Sequence, residues 1–270
     1  MALGILNRGG ERGLAERRLI LPEGGPSPEE GRRMTVVEHL RELRRVLIVS
    51  MVAWVLATIV AAVFDRVILR ILEFPLLHVL SQHNHLLSRP IITSPTELVT
   101  IPLEVAVVGG LVLSMPVIGW QAWAFVSPGL RPVERRFALP FVLSVVVLFA
   151  AGAGLAYLLM PVWLNILTSI VGGNAVYFPD LSQYLSFLSL AVVAFGLTFE
   201  LPVAIVILGL LRIVSSRGLR RHRKLVWLAI VLGAELVTPG VDPVTPLFLA
   251  IPLLLLYELA VVVLARALHR

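Results

Sequence analysis

The sequence predicts an all-α polytopic membrane protein. Of its 270 residues 58% are hydrophobic and 15% charged, and the mean hydropathy is +0.92. A soluble domain is nearer half apolar and a quarter charged. The apolar residues are gathered into long runs separated by short polar turns. A spanning helix takes about 20 mostly apolar residues, and runs of that kind stand at 46–64, 98–119, 137–160, 184–211, 225–237 and 246–265.

Residues 1–33 are rich in Gly, Pro, Glu and Arg without sustained periodicity, which reads as a disordered cytosolic tail ahead of a membrane domain at 34–270. Met34 is an expected alternative start. The text then changes: in TVVE, Thr35 is an expected N-cap and Glu38 the returning carboxylate of a capping box. Leu40, Leu43, Val46 and Leu47 recur at helical spacing, so a short polar helix should run directly into the first apolar run. That run is of full spanning length with five more behind it, which favours a retained helix over a cleaved signal peptide. Arg17-Arg18 has no apolar core after it and reads as tail. The fifth run has 13 residues, or roughly 20 Å of helix against roughly 30 Å of hydrocarbon. The bilayer must thin there or flanking residues must complete the span.

Basic residues set the orientation. The segment through Arg45 holds nine, 125–136 three, 212–224 six and the C-terminus two, whereas the alternate loops hold only Arg66, Arg70 and Arg89. Lys and Arg concentrate on the cytosolic side, so both termini are expected in the cytoplasm, with six spans between them. The pI near 10.6 follows from this asymmetry and from contact with anionic lipid rather than nucleic acid. The absence of cysteine excludes disulfides, thiol nucleophiles and cysteine metal sites. His83 and His85 form the only close histidine pair, a weak metal signal. No GxSG, HExxH or phosphate-loop lysine pattern occurs. An enzyme is disfavoured, and no cofactor or metal is expected.

The candidate chemistry lies in acids. Glu42, in HLRELRR, has Glu38 one turn earlier and Arg41, Arg44 and Arg45 around it. As a solvated helix face this yields only a few tenths of a kcal/mol per pair. Glu134, in FVSPGLRPVERR, stands among Arg131, Arg135 and Arg136, where it either neutralises the loop or receives a cation. Both acids are expected at the cytosolic surface, where two carboxylates suit a ligand with adjacent guanidinium groups, since the planar fork pairs bidentately with carboxylate. Glu200, in FGLTFELPV, falls inside the fourth run. An ionised acid at mid-bilayer costs about 2.5–3.5 kcal/mol, which makes it a functional candidate against a protonated, hydrogen-bonded null. Pro202 cannot donate to the Thr198 carbonyl, so a kink is expected beside it. Glu258 in the sixth run is a lesser case of the same kind, and Glu104 and Glu235 lie nearer the outer interface. Asp242 belongs to the TPGVDP turn, ordinary turn chemistry. On these residues alone a proton- or solute-coupled transporter built around Glu200 remains an alternative, although no interrupted repeats support it.

Six stretches in order resemble the TatC family of the twin-arginine protein translocase: HLRELR, SPTE, MPVIGWQAWAFVSPGLRPVERR, YLSFLSLAVVAFGLTFELPVAI, VTPGVDP and AIPLLLLYE. The resemblance covers Thr35 to Arg270. It implies a glove-like, concave bundle with short fifth and sixth spans in the cytoplasmic membrane. It also implies a non-enzymatic receptor for twin-arginine signal peptides of folded cargo that assembles with TatA- and TatB-type single-span subunits and with further copies of itself, export being driven by the proton-motive force. The family's twin-arginine site then falls on Glu42 and Glu134, with Glu38, Arg135 and Arg136 as supporting neighbours. The partner-facing intramembrane acid falls on Glu200, beside Thr198 and Pro202. The sequence departs from the family pattern at Glu104, where lysine is usual, at the TPGVD turn, which is one residue longer than TPPD, and at Pro246, where glutamine is frequent. Glu235 has no assigned counterpart.

Overall fold

The structure, a computed structural model, describes residues 36–83, 89–130, 135–171, 179–237 and 245–268. The chain divides into two units at Arg41. Of the first, the described residues are the opening turns of α1, exposed from Val37 to Arg41. The second unit, from Glu42 onward, carries the rest.

Nine α-helices make up the described residues: α1 (Val36–Val63), α2 (Asp65–His83), α3 (Glu97–Val126), α4 (Ala138–Val171), α5 (Leu181–Thr198), α6 (Leu201–Leu210), α7 (Ser216–Arg221), α8 (Arg223–Val237) and α9 (Thr245–Leu268). Five stretches are long and apolar enough to cross a membrane: Val37–Val63, Glu97–Gly129, Arg135–Ile166, Leu181–Leu210 and Leu249–Arg266. The expected continuity from the polar HLRELR segment into the first apolar run holds, for α1 is a single helix. The short fifth run becomes α8, 15 residues long. The Thr35 cap, the 1–33 tail and the His83–His85 pair lie outside what the structure describes.

The core is built from apolar side chains of α2, α3, α4, α5, α8 and α9, with Leu76, Val105, Met160, Leu185, Leu188 and Phe195 at its centre. Where helices meet in a membrane, small residues let backbones approach. Gly152 of α4 lies on the Phe195 carbonyl, where a Cβ would come within 2.5 Å of the oxygen, and Gly196 of α5 lies on the Phe149 ring, at 2.6 Å. This reciprocal crossing locks α4 to α5. Gly110 of α3 meets the Thr58 backbone of α1, and Trp54 Nε1 of α1 donates to the Val107 carbonyl at 3.0 Å. Most of the remaining length of α1 is exposed.

The helix α2 is absent from the apolar runs of the sequence. Four charged residues, Asp65, Arg66, Arg70 and Glu73, interrupt its apolarity, yet Leu76, Val79 and Leu80 are buried at helical spacing. Pro75 sits inside it and has no N–H for the Ile71 carbonyl one turn back. That carbonyl instead accepts a hydrogen bond from Tyr157 Oη of α4 at 2.8 Å, and the adjacent Leu72 carbonyl accepts from Tyr184 Oη of α5 at 2.8 Å. Ser127 Oγ does the same service for the Ala124 carbonyl at 3.2 Å, which Pro128 leaves open. In apolar surroundings such freed acceptors need a replacement donor.

Candidate functional site

Glu42 lies in the second turn of α1 at the arginine-rich end, half-buried, with Arg44 and Arg45 exposed beside it. Its Oε2 is buried and has no hydrogen-bond partner among the described residues. Glu38 is exposed. Glu134, the expected second carboxylate, lies outside the described residues, as does Arg131. What frames that loop is described on both sides. A 3-10 turn over Ser127–Gly129 buries Leu130 and puts Gly129 against Leu211, where a Cβ would stand 2.9 Å from the leucine methyl. The glycine of SPGL is therefore there for close approach to the segment that follows α6. Beyond the loop, Arg135 and Arg136 open a second 3-10 turn over Arg135–Phe137, both exposed. Arg135 Nη2 reaches the Pro128 carbonyl at 3.5 Å, and the Arg136 guanidinium lies 5.1 Å from the Phe137 ring centroid. Among the described residues no hydrogen bond or ion pair joins Glu42 to either arginine.

At Glu200 the expected kink is a full interruption. The helix stops at Thr198, Phe199 and Glu200 form a turn, and α6 restarts with Pro202 in its first turn. Because Pro202 removes the donor for the Thr198 carbonyl, the ladder breaks there and resumes with Ala204 N–H on the Glu200 carbonyl at 3.0 Å. Thr198 Oγ1 turns inward on its own helix, to the Ala194 carbonyl at 2.6 Å. Pro202 is buried; Glu200 is half-buried, and its Oε1 is buried without a hydrogen-bond partner. The Gly152–Gly196 crossing one turn earlier fixes where the break falls.

Glu258, the lesser case among the sequence's intramembrane acids, is paired: Arg223 Nε at the head of α8 meets its Oε1 at 2.7 Å, Trp227 Nε1 donates to the same oxygen at 3.1 Å, and the guanidinium lies 4.7 Å from the Trp227 ring centroid. The neighbouring Tyr257 Oη donates to the Leu219 carbonyl at 3.0 Å. These contacts tie α9 to α7 and α8. Glu104 accepts from Ser186 Oγ of α5 at 2.9 Å, Glu235 is exposed, and Asp242 lies outside the described residues.

The opposite end holds a cluster that the sequence reading missed. Glu97, the acid of SPTE, is buried and accepts from Ser94 N–H at 2.9 Å and Thr93 N–H at 3.3 Å. Thr93 Oγ1 stands 2.8 Å from Glu97 and 2.7 Å from Asp180. Asp180 caps α5 by accepting from Gln183 N–H at 2.9 Å, and the Thr93 hydroxyl and that backbone donor hold its carboxyl below the usual aspartate range. A parallel bridge completes the link, Ile91 N–H to the Pro179 carbonyl and Leu181 N–H to the Ile91 carbonyl, each 3.0 Å. The S-x-x-E spacing of Ser94 and Glu97 is a helix-start signature and was the available signal. Nearby in sequence, burial pushes the Glu73 carboxyl of α2 up, with Arg89 opposing. Among the described residues no cluster of His, Cys, Asp and Glu could hold a metal.

The family model described as Sec-independent protein translocase protein (TatC) matches residues 38–252. The Sec-independent protein translocase protein TatC of Carboxydothermus hydrogenoformans is 35% identical over 233 residues, covering 86% of this chain and 93% of that protein. That of Deinococcus radiodurans is 35% identical over 246 residues, covering 88% of each. Among solved structures, the crystal structure of a twin-arginine translocase receptor, TatC, superposes with a TM-score of 0.70 at 32% identity, covering 86% of this chain and all of that one. The helical fold agrees with that of the solved structure over most of the chain, and the chain belongs to the TatC family of Sec-independent protein translocase subunits.

Proposed function

We propose that this translocase subunit is the receptor that takes the paired arginines of a signal peptide between Glu42 and Glu134 at the cytosolic face of the cytoplasmic membrane. The carrying observation is the buried, unpartnered Oε2 of Glu42. A carboxylate oxygen removed from water without a donor is costly, and an incoming guanidinium supplies two donors in the geometry a carboxylate accepts. Arg135 and Arg136 support the site, their positive charge repelling cations that cannot pair bidentately, and Glu38 is a supporting acid one turn before Glu42 in sequence. Six spans, with α8 as a short fifth, put both termini in the cytoplasm. Glu200, held at the helix break between Thr198 and Pro202 with one oxygen unpartnered, faces the single-span TatA- and TatB-type subunits that bound receptor recruits. Asp242 shapes the last outer turn. Further copies of the chain complete the assembly, and export draws on the proton-motive force.

The test is direct binding of an Arg-Arg signal peptide and its Lys-Lys counterpart to the purified chain in nanodiscs. Truncating a sheltered bidentate pair costs about 2 kcal/mol or more, so Glu42→Gln and Glu134→Gln should each weaken the Arg-Arg peptide about thirtyfold and barely change the Lys-Lys one. Equal loss of both peptides would remove the bidentate site.

A further inference from the structure

An apolar groove of about 370 Å³ lies between α4, α6 and α9, bounded by Trp123 and Phe141, whose tilted rings have their centroids 5.0 Å apart, and by Phe137, Val206, Ile207 and Leu256. The only side-chain hydroxyl in its wall, on Ser144, donates to the Pro140 carbonyl at 2.7 Å, so the lining is almost wholly apolar. On one side α6 and α9 close together where Gly209 receives the Leu264 side chain. The volume is that of a small-molecule site, and a wall of apolar side chains around a space of that size suits a flexible hydrocarbon chain.

Charge marks one mouth. Each of the three helices carries an arginine within a turn of its last groove residue: Arg136 before Phe137, Arg212 after Leu210 and Arg266 after Val263. All three are exposed, and the Arg136 guanidinium stands over the Phe137 ring that forms the groove wall. Arg212 is also the one described non-glycine residue with positive φ, 61°. It follows α6 where glycine is the usual residue, and an arginine on a left-handed backbone there is consistent with a use for its side chain. Of the acids at this end, Glu258 is tied to Arg223 and Glu134 stands among three arginines, so the rim has net positive charge.

We propose that this groove holds one acyl chain of an anionic phospholipid whose phosphate is taken by the arginines at its mouth. The site shares Arg136 with the proposed approach to the signal-peptide carboxylates, but it stands whether or not those carboxylates bind arginine. Its occupant is a lipid distinguished from the surrounding bilayer by its headgroup charge, and it fills the space between α4 and the α6–α9 pair where no side chain does.

Native mass spectrometry of the full chain in detergent, supplied with phosphatidylglycerol and phosphatidylcholine of identical chains, tests this. Phosphatidylglycerol should be retained in preference. Val206→Phe, which fills the groove, should abolish retention of both lipids. Arg136→Gln, which removes the charge and its contact over the Phe137 ring, should lower the preference about fivefold, the worth of one arginine at an anionic surface. Should the groove variant fail to fold, Arg136→Gln decides alone. Equal retention of the two lipids by the wild type, an unchanged preference in Arg136→Gln, or lipid retention untouched by a folded Val206→Phe each overturns the proposal. So does a photo-crosslinker at Val206 that captures an apolar peptide helix and never the lipid.

Discussion

Replacing Tyr157 by Phe removes one oxygen and nothing else, and the structure says what that oxygen does. It is the 2.8 Å donor to the Ile71 carbonyl, which Pro75 has deprived of its helical partner. This hydrogen bond is exposed on the protein surface, but in the apolar phase an acceptor left without a donor costs about 1–3 kcal/mol, against about 1 kcal/mol net for an ordinary hydrogen bond. Pro75→Ala restores an N–H at the position that bonds Ile71, so in that background the tyrosine hydroxyl becomes redundant. The double-mutant cycle should therefore show a coupling of about 1 kcal/mol or more, read as a loss in thermal midpoint of about 2–4 °C for Tyr157→Phe in the wild type and little loss in Pro75→Ala. Tyr184→Phe is the internal control. Its acceptor, Leu72, has its helical donor, Leu76 N–H, in both backgrounds, so its cost should be the same in each. The assay is thermal unfolding of the four proteins in one detergent, followed by tryptophan fluorescence. Equal losses for Tyr157→Phe with and without Pro75 would refute the proline-vacancy reasoning.

Further outcomes are expected elsewhere. Gly196→Ala pushes a methyl into the Phe149 ring, which is 1% exposed and cannot swing away; overpacking should cost about 1–3 kcal/mol and be partly recovered by Phe149→Leu, measured by the same unfolding. Asp180→Ala removes an N-cap, worth about 1 kcal/mol at neutral pH. Because the folded carboxyl is held below its ordinary value, that stability is present above the unfolded value of about 3.9 and is lost as pH falls through the folded one, so wild type and variant should converge in acid; a gap constant down to strongly acidic pH would contradict it. Arg212→Gly relieves a left-handed backbone and should raise stability by about 1 kcal/mol, visible as a higher thermal midpoint.

The helices that cross the apolar phase were legible because hydrocarbon demands unbroken apolar text, and Pro202 announced the interruption of the fourth run by its missing donor. Their ends were not. The second run read as 98–119 becomes a helix over Glu97–Val126 and the third, read as 137–160, one over Ala138–Val171, because helical hydrogen bonding continues where apolarity stops. The helix α2 escaped because its apolar residues are periodic rather than continuous, and a search for runs passes over periodicity. Glu42 and Glu200 could be singled out as acids out of place, but whether an acid is paired is a tertiary fact. Glu258 looked like Glu200 until Arg223, 35 positions away, was found against it. The Thr93–Glu97–Asp180 cluster spans 87 positions between Thr93 and Asp180, which no local pattern encodes.

That separation governs the order in which the chain can be completed. The stitch joining Ile91 and Thr93 to Pro179, Asp180 and Leu181 closes only when the segment heading α5 has been synthesised and carried to the same face. Until then the loop between α2 and α3 has neither its bridge nor its second carboxylate, and the Leu72 carbonyl of α2 lacks Tyr184 as well. During biogenesis, α1 to α4 therefore lack this fastening at that end, and the arrival of α5 supplies it.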